Sequence, residues 1–447
     1  MKPGRKRRAA GETYQVRQAE NLRRLFVGSC VRYNTKTAFL KKEKGGWTEV
    51  GYSSFMDSVD ALGTALFRRG LCGAPVVITG ENSVEWACVF AAVAGGLGTA
   101  FPLPVSYGPE KTVSAALMCG AKALFCDAGM LEEIGGPAAD AGLEVFSFDD
   151  LPSLIAEGRI LLFENETGFV SLDPLPGSAA IYSLCGPEKA SVFTHEAVCA
   201  AIAGIGRRVQ AGPSDRVMNI HPWSGLYSLY FGLLFPVFSG ASVVIGKTLG
   251  TLAEDMRETS PTFLCAVPGL CSRLYERIID NLKEKTGGSE ERLRALMRLS
   301  GNGNAVTKRL FSKIHDAMGG RLRIIFCGPR PGDETALRGL RGLGFIPVQA
   351  YGPSGTLPPV AMTGDAVCRD GTAGYAAPGS VIDVFDPEPD GVGRIRFKGP
   401  GCPSGFIEAG KGISAAPSDG WYYTGDLGSL DADGCLRVYG PEFEEDN

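Results

Sequence analysis

Between Ile181 and His195 the chain reads IYSLCGPEKASVFTH, an apolar run giving way to a glycine, a lysine and hydroxyl side chains. Residues of these types could grip a phosphate: backbone N–H groups and hydroxyls donate to its oxygens, and an ammonium offsets their charge. The segment nevertheless holds one glycine, Gly186, where a phosphate loop usually has several. Two readings therefore stand side by side. Gly186 and Lys189 either belong to a nucleotide site, or they are an ordinary strand-to-helix turn and a solvated charge where a helix begins. Two later stretches pose the same choice. YGPSGT contains Tyr351, Gly352 and Ser354, and YTGDLG contains Asp426. The aspartate suits a ligand contact or a plain turn, and the tyrosine a site or a core.

Other chemistries fare worse. The three histidines, His195, His221 and His315, do not form a metal-ligand spacing. Thirteen cysteines are scattered without a CxxC pair, so they read as small apolar residues in a reducing cytoplasm. A net charge of -4 supplies no field for a nucleic-acid backbone. The exception is the start, MKPGRKRRAA, which is basic but leads into no apolar segment. It reads as a solvated tail, with weak contact to anionic lipid or RNA as the alternative. Two uncharged stretches, Trp86 to Pro109 and Val217 to Gly246, exceed the roughly 20 residues that span a bilayer. Gly, Pro, Ser or His interrupts both, so a covered α/β core explains them better, with a peripheral membrane contact left open.

The elements that would position these residues follow from periodicity. At 447 residues the chain is long enough for two or three subdomains. Phe55, Val59, Leu62 and Leu66 recur at helical spacing before Gly70. APVVITG then reads as a buried strand, SVEWACVFAAVAGG as a helix capped by Ser83 and ending at Gly95 and Gly96, and TAFPLP and KALFCD as further strands. The rhythm repeats through SAAIYSL, a helix capped by Thr194, and strands at DRVMNIHP, ASVVIG, PTFLCAVP, RLRIIFCG and FIPVQAYG. Asp280 to Lys308 has the charge and glycine of exposed helix and loop. Beyond Asp365 the texture turns to short strands between Gly, Pro and Asp. The fold class expected is α/β: two parallel-rich sheets covered by helices, plus a smaller β-rich subdomain. The boundaries expected are a basic tail at 1–19, α/β subdomains at 20–175 and 176–365, the β subdomain at 366–440 and a tail at 441–447.

Taken in order, ENSVEW, IYSLCGPEKASVFTH, HPWSGLY, PTFLCAVPG, YGPSGT, GRIRFKGP and GWYYTGDLGSLDADG resemble the adenylate-forming (AMP-binding) enzymes, specifically the long-chain acyl-CoA synthetases. The resemblance runs from about Glu20 to Gly440. It implies ATP, coenzyme A and a fatty acid or other carboxylic acid as ligands, with an acyl-adenylate formed first and a thioester second. Donors and cations must then surround the phosphates as charge builds on both reacting groups. By the same resemblance Ser183, Gly186, Lys189 and Thr194 belong to the phosphate segment. Tyr351 and Gly352 face the adenine, Ser354 faces phosphate, and Asp426 accepts from the ribose hydroxyls. Trp223, Gly225 and Tyr227 line the acyl pocket.

The chain also departs from the pattern. Leu184 and Cys185 stand among the usual hydroxyls, Ala190 replaces a glycine, and Gly225 stands where a histidine is usual. Gly355 replaces the glutamate that helps hold Mg²⁺, so no metal ligand is expected and magnesium is in doubt. No catalytic residue is assigned. After Gly440 the sequence reads PEFEEDN, so the resemblance implies that the transition-state lysine of the family's small mobile domain comes from a separate small domain or partner protein. Losing one preorganised donor typically costs about 100- to 1,000-fold in rate. The expectation is a long-chain fatty acid–CoA ligase-like protein, impaired on its own. The alternative is a non-catalytic acyl- or nucleotide-binding paralogue.

Overall fold

The computed structural model describes residues 14–186, 188–286, 311–366 and 369–442. Two sheets organise them, one of thirteen strands and one of eight, with helices packed between and outside them. The centre of the larger sheet is parallel: Ser242–Ile245, Arg216–Asn219, Phe263–Ala266, Ile324–Cys327 and Ile346–Tyr351 lie side by side in that order. Phe263–Ala266 and Ile324–Cys327 are buried at every position. Strands covered on both faces need apolar side chains pointing both ways, which explains the continuous apolar runs. The smaller sheet has the same character through Thr99–Leu103, Pro75–Thr79, Ala123–Cys126 and Glu144–Ser147, all parallel.

Several helix starts are encoded locally. Ser83, Thr194 and Asp333 each accept a hydrogen bond from a backbone N–H of the first helical turn, on the helices Val84–Ala92, His195–Arg208 and Glu334–Gly342. Val84–Ala92 stops three residues short of Gly95, and the chain continues through a wider turn over Val93–Leu97. Helix Tyr52–Arg68 buries Phe55, Val59, Leu62 and Leu66, as their spacing predicts. It lies so close to helix Leu151–Phe163 that a Cβ on Gly158 would sit 1.8 Å from the carbonyl oxygen of Ala61. One apolar core then fills the space between the sheets, drawing on Phe39, Phe55, Trp86, Phe90, Phe193 and Tyr230.

Strands are exchanged across the linear boundaries. Thr37–Glu43, early in the chain, joins the larger sheet beside Ser242–Ile245. The short strands after Asp365 do not stand apart as a separate sheet. Gly374–Ala376, Cys435–Pro441, Tyr422–Leu430, Gly393–Lys398 and Val381–Phe385 extend the larger sheet by antiparallel pairing, through Ala361–Met362. Gly405–Glu408 and Gly412–Ala415 instead cross to the smaller sheet. Residues 14–19, expected within a solvated tail, are docked: the Tyr14 hydroxyl donates to Asp365 at 2.9 Å, and Arg17 Nη2 donates to the Phe238 carbonyl at 2.9 Å. Tyr14 and Val16 give this stretch an apolar surface to place against its neighbours. Residues 1–13 and 443–447 lie outside the described residues, as does the expected loop beyond 286; Asp280 to Thr286 belongs to the long helix Pro268–Thr286. Both long uncharged stretches are core, and among the described residues no helix is long and apolar enough to cross a membrane.

Candidate functional site

The chain from Ala179 to Thr194 forms a β-hairpin, which corrects the strand-to-helix reading of Gly186 and the helix-start reading of Lys189. Strand Ala179–Gly186 pairs antiparallel with Lys189–Thr194, setting Tyr182 opposite Val192 and Gly186 opposite Lys189. Positions 190–193 are all buried, because the second strand is covered on both faces and flanked by a third strand, Gly405–Glu408. The helix begins only at His195, where Thr194 Oγ1 accepts from the Ala197 N–H at 3.3 Å. Thr194 is therefore at the far end of the strand from Gly186 and caps a helix.

Lys189 opens the second strand directly opposite Glu408. Its Nζ lies 2.9 Å from Glu408 Oε1 and 4.5 Å from the centre of the Phe406 ring. Lys411 reaches the same carboxylate at 2.7 Å. Hydrogen bonds from Lys411 and Lys189 push the Glu408 carboxyl down to about 2. The lysine charge thus stays paired along the strand edge.

The hairpin is tied to the YGPSGT loop, which follows strand Ile346–Tyr351. Ser191 Oγ donates to the Gly355 carbonyl at 2.9 Å, and the Tyr422 hydroxyl to the Ser354 carbonyl at 3.3 Å. Gly355 has φ +80°, and a Cβ there would lie 2.8 Å from Cys185 Cβ and 3.0 Å from the Tyr422 hydroxyl. A side chain at this position would need both a left-handed backbone and displaced neighbours. Just before the loop, the buried Tyr351 hydroxyl donates to Asp426 Oδ2 at 2.6 Å. The Asp426 N–H in turn donates to Thr424 Oγ1 at 3.1 Å. Burial and the adjacent Asp426 carboxylate raise the Tyr351 phenol above its ordinary range, so it stays protonated and remains the donor.

An apolar cavity of about 480 Å³ opens between hairpin and loop. It gathers Ser183, Gly225, Tyr227, Gly352 and Ser354, with Pro102, Leu226 and Val267 among its apolar walls. A second cavity of about 600 Å³ shares Leu184 and Ser354 with it and adds Gly186, Cys185, Glu188 and Lys111. Lys189, Thr194, Trp223, Tyr351 and Asp426 line neither cavity. Trp223 is fully buried with its ring 5.5 Å from that of Trp86, so it belongs to the wall behind the cavity. The Tyr227 hydroxyl donates to the Ala266 carbonyl at 3.0 Å, leaving its ring as the lining surface. His221 is the residue that sequence reasoning missed. It lines the first cavity, its Nε2 is buried with no hydrogen-bond partner, and burial lowers its pKa. The signal was present in IHPWSG, immediately before the segment quoted for its acyl-pocket resemblance.

Two helix-covered sheets, with a hairpin facing a Tyr-Gly loop across an apolar cleft, define an adenylate-forming enzyme fold. The AMP-binding enzyme family model matches residues 185–407, and the chain is a homologue of the long-chain acyl-CoA synthetases. It is 25% identical over 431 residues to long chain acyl-CoA synthetase 6, peroxisomal, of Arabidopsis thaliana, covering 85% of this chain and 59% of that one. With long-chain-fatty-acid–CoA ligase 1 of Cavia porcellus the identity is 23%, over 87% of this chain and 62% of the relative. The chain thus spans about six tenths of the length of these two relatives. Among solved structures, VinN superposes with a TM-score of 0.75 at 19% identity, covering 95% of this chain and 100% of that one. Apo MatB from Rhodopseudomonas palustris gives 0.74 at 21% identity, over 94% and 78%.

Proposed function

We propose that this chain binds a long-chain fatty acid and ATP across the cleft and acts in the AMP-forming ligation of that acid to coenzyme A. The observation that carries the reading is the 480 Å³ apolar cavity closed on one side by the hairpin and on the other by the Tyr-Gly loop. An acyl chain would lie against Pro102, Leu226 and Val267, with its carboxylate towards the hydroxyls of Ser183 and Ser354. The phosphates would lie towards Gly186, in the adjoining cavity that Ser354 also lines. Tyr351 and Gly352 would flank the base. With Oδ2 held by Tyr351, Asp426 has Oδ1 to offer the ribose hydroxyls. A carboxylate oxygen then attacks the α-phosphorus, pyrophosphate leaves, and the acyl group passes to the thiol of coenzyme A in a second step.

Three features support slow adenylation by the chain unaided. Lys189 is paired with Glu408, Leu184 and Cys185 bring no hydroxyl to the hairpin, and Gly355 carries no carboxylate. The space beside Gly355 is filled by Cys185, Tyr422 and Ser191, so these residues do not fit a protein-held magnesium, and no step is written through one. Among the described residues no group of three or more His, Cys, Asp or Glu is placed to hold a metal ion. The paired lysine also favours a second reading, in which the chain binds acid or nucleotide without turning it over. The location we propose is cytoplasmic, supported by twelve described cysteines that are all free thiols.

Pyrophosphate release from ATP, Mg²⁺ and a panel of fatty acids tests the first reading. Slow, acid-dependent release is expected. Acid binding with no release above background selects the second reading, and absence of both removes the acid site altogether. ATP should also raise the melting temperature, since a ligand at 100 times its dissociation constant adds about 2.7 kcal/mol. Asp426→Ala is expected to abolish that rise; an unchanged rise means the ribose contact is elsewhere.

A further inference from the structure

The first cavity is apolar except at a few points, and one of them is unusual. His221 Nε2 is shielded from water and makes no hydrogen bond, a costly arrangement for a ring nitrogen unless a ligand completes it. The residue is also held in place. Asn82 Nδ2 and Asn219 Nδ2 both donate to the His221 carbonyl, at 2.7 and 2.8 Å, and Asn82 Oδ1 accepts from the Trp223 N–H at 2.9 Å. Asn219 is fully buried, and Gly232 packs so closely that a Cβ there would lie 2.6 Å from the Asn219 Cγ. Two amides clamping one carbonyl fix the backbone that carries the imidazole, which is how a recognition group is preorganised. Ser183 and Ser224 line the same cavity with hydroxyls.

We propose that His221 is the group that reads the head of the acid: its Nε2–H donates to a carboxylate oxygen of a ligand whose body lies along the apolar lining. This rests on the cleft being an acid site, and adds a specificity-determining residue to it. A hydrogen bond to a charged acceptor discriminates by about 10- to 100-fold, so an acid should be preferred over an alcohol of equal length on this account.

The test uses dodecanoate and dodecanol on the full chain. The chain has three histidines, so ¹⁵N-histidine spectra resolve the contact directly. His195 Nδ1 already accepts from the Leu22 N–H at 3.3 Å, and His315 Nε2 is 2.9 Å from the Leu343 carbonyl, so neither should respond. Dodecanoate is expected to shift the His221 Nε2 resonance alone, and dodecanol to shift it less. His221→Phe should weaken dodecanoate about 10-fold or more while leaving dodecanol affinity within about twofold. If the wild type binds dodecanoate but the His221 resonance stays put, or the variant binds it equally well, the inference is overturned and the acid cleft stands. Binding of neither compound to the wild type overturns both. The spectra do not depend on the variant folding.

Discussion

At the residue scale, the buried polar contacts make definite predictions. His195 is buried and neutral, its Nδ1 accepting a backbone hydrogen bond, and burial pushes its pKa down to about 4 from 6.5. Because the folded value is the lower one, the unfolded chain binds more protons between the two. Stability is therefore full above pH 6.5 and falls as pH drops towards 4, by on the order of 3 kcal/mol. Urea titrations across that window should show the loss, and His195→Gln should flatten it. Tyr351→Phe removes the only printed donor to Asp426 Oδ2 and is expected to cost about 2 kcal/mol in the same assay. At Gly355 a left-handed backbone and a crowded Cβ position act together, so Gly355→Ala should lower stability by about 1–3 kcal/mol. Restoring a glutamate there is then expected to lower the melting temperature without raising pyrophosphate release. Local signals such as the Ser83, Thr194 and Asp333 caps were legible in the sequence, because each involves neighbours within one turn. The Lys189 partner was not: nothing near Lys189 in the chain points to Glu408.

At the scale of elements, the hairpin decides how the site is built. Strand Ala179–Gly186 was readable from its apolar run, but Lys189–Thr194 was absorbed into the following helix because Thr194 is a strong helix cap. Its strand character comes from pairing on both sides, and that is tertiary information. The hairpin's one side-chain tie to the Tyr-Gly loop through Ser191 predicts that Ser191→Ala costs about 1 kcal/mol. Glu408→Gln acts on the other edge. It frees Lys189 from its carboxylate, and the ATP-induced rise in melting temperature should grow relative to wild type. An unchanged rise would show that the lysine does not reach phosphate even when released. The strands APVVITG, PTFLCAVP and RLRIIFCG were legible for the opposite reason, since burial on both faces leaves continuous apolar runs.

At the scale of the whole molecule, the class and its two sheets were legible, but the sharing of strands between them was not. Alternation of strands and helices announces crossover units, yet it says nothing about an early strand such as Thr37–Glu43 joining a sheet made mostly of later ones. Nor does short-strand texture after Asp365 distinguish an independent sheet from an extension of a larger one. The shared core between the sheets predicts cooperative opening, with amide exchange in Ala179–Thr194 and Gly405–Glu408 rising together when either is destabilised. The crossing of Gly405–Glu408 to the smaller sheet also has a cost during biosynthesis. On the ribosome, Lys189–Thr194 emerges long before the segment that covers its outer edge, so a nascent chain displays bare amides and carbonyls for much of its translation. Slowed or aborted synthesis before that segment would leave an adhesive intermediate, and shielding by a chaperone during this interval would set how much of the protein reaches its native state.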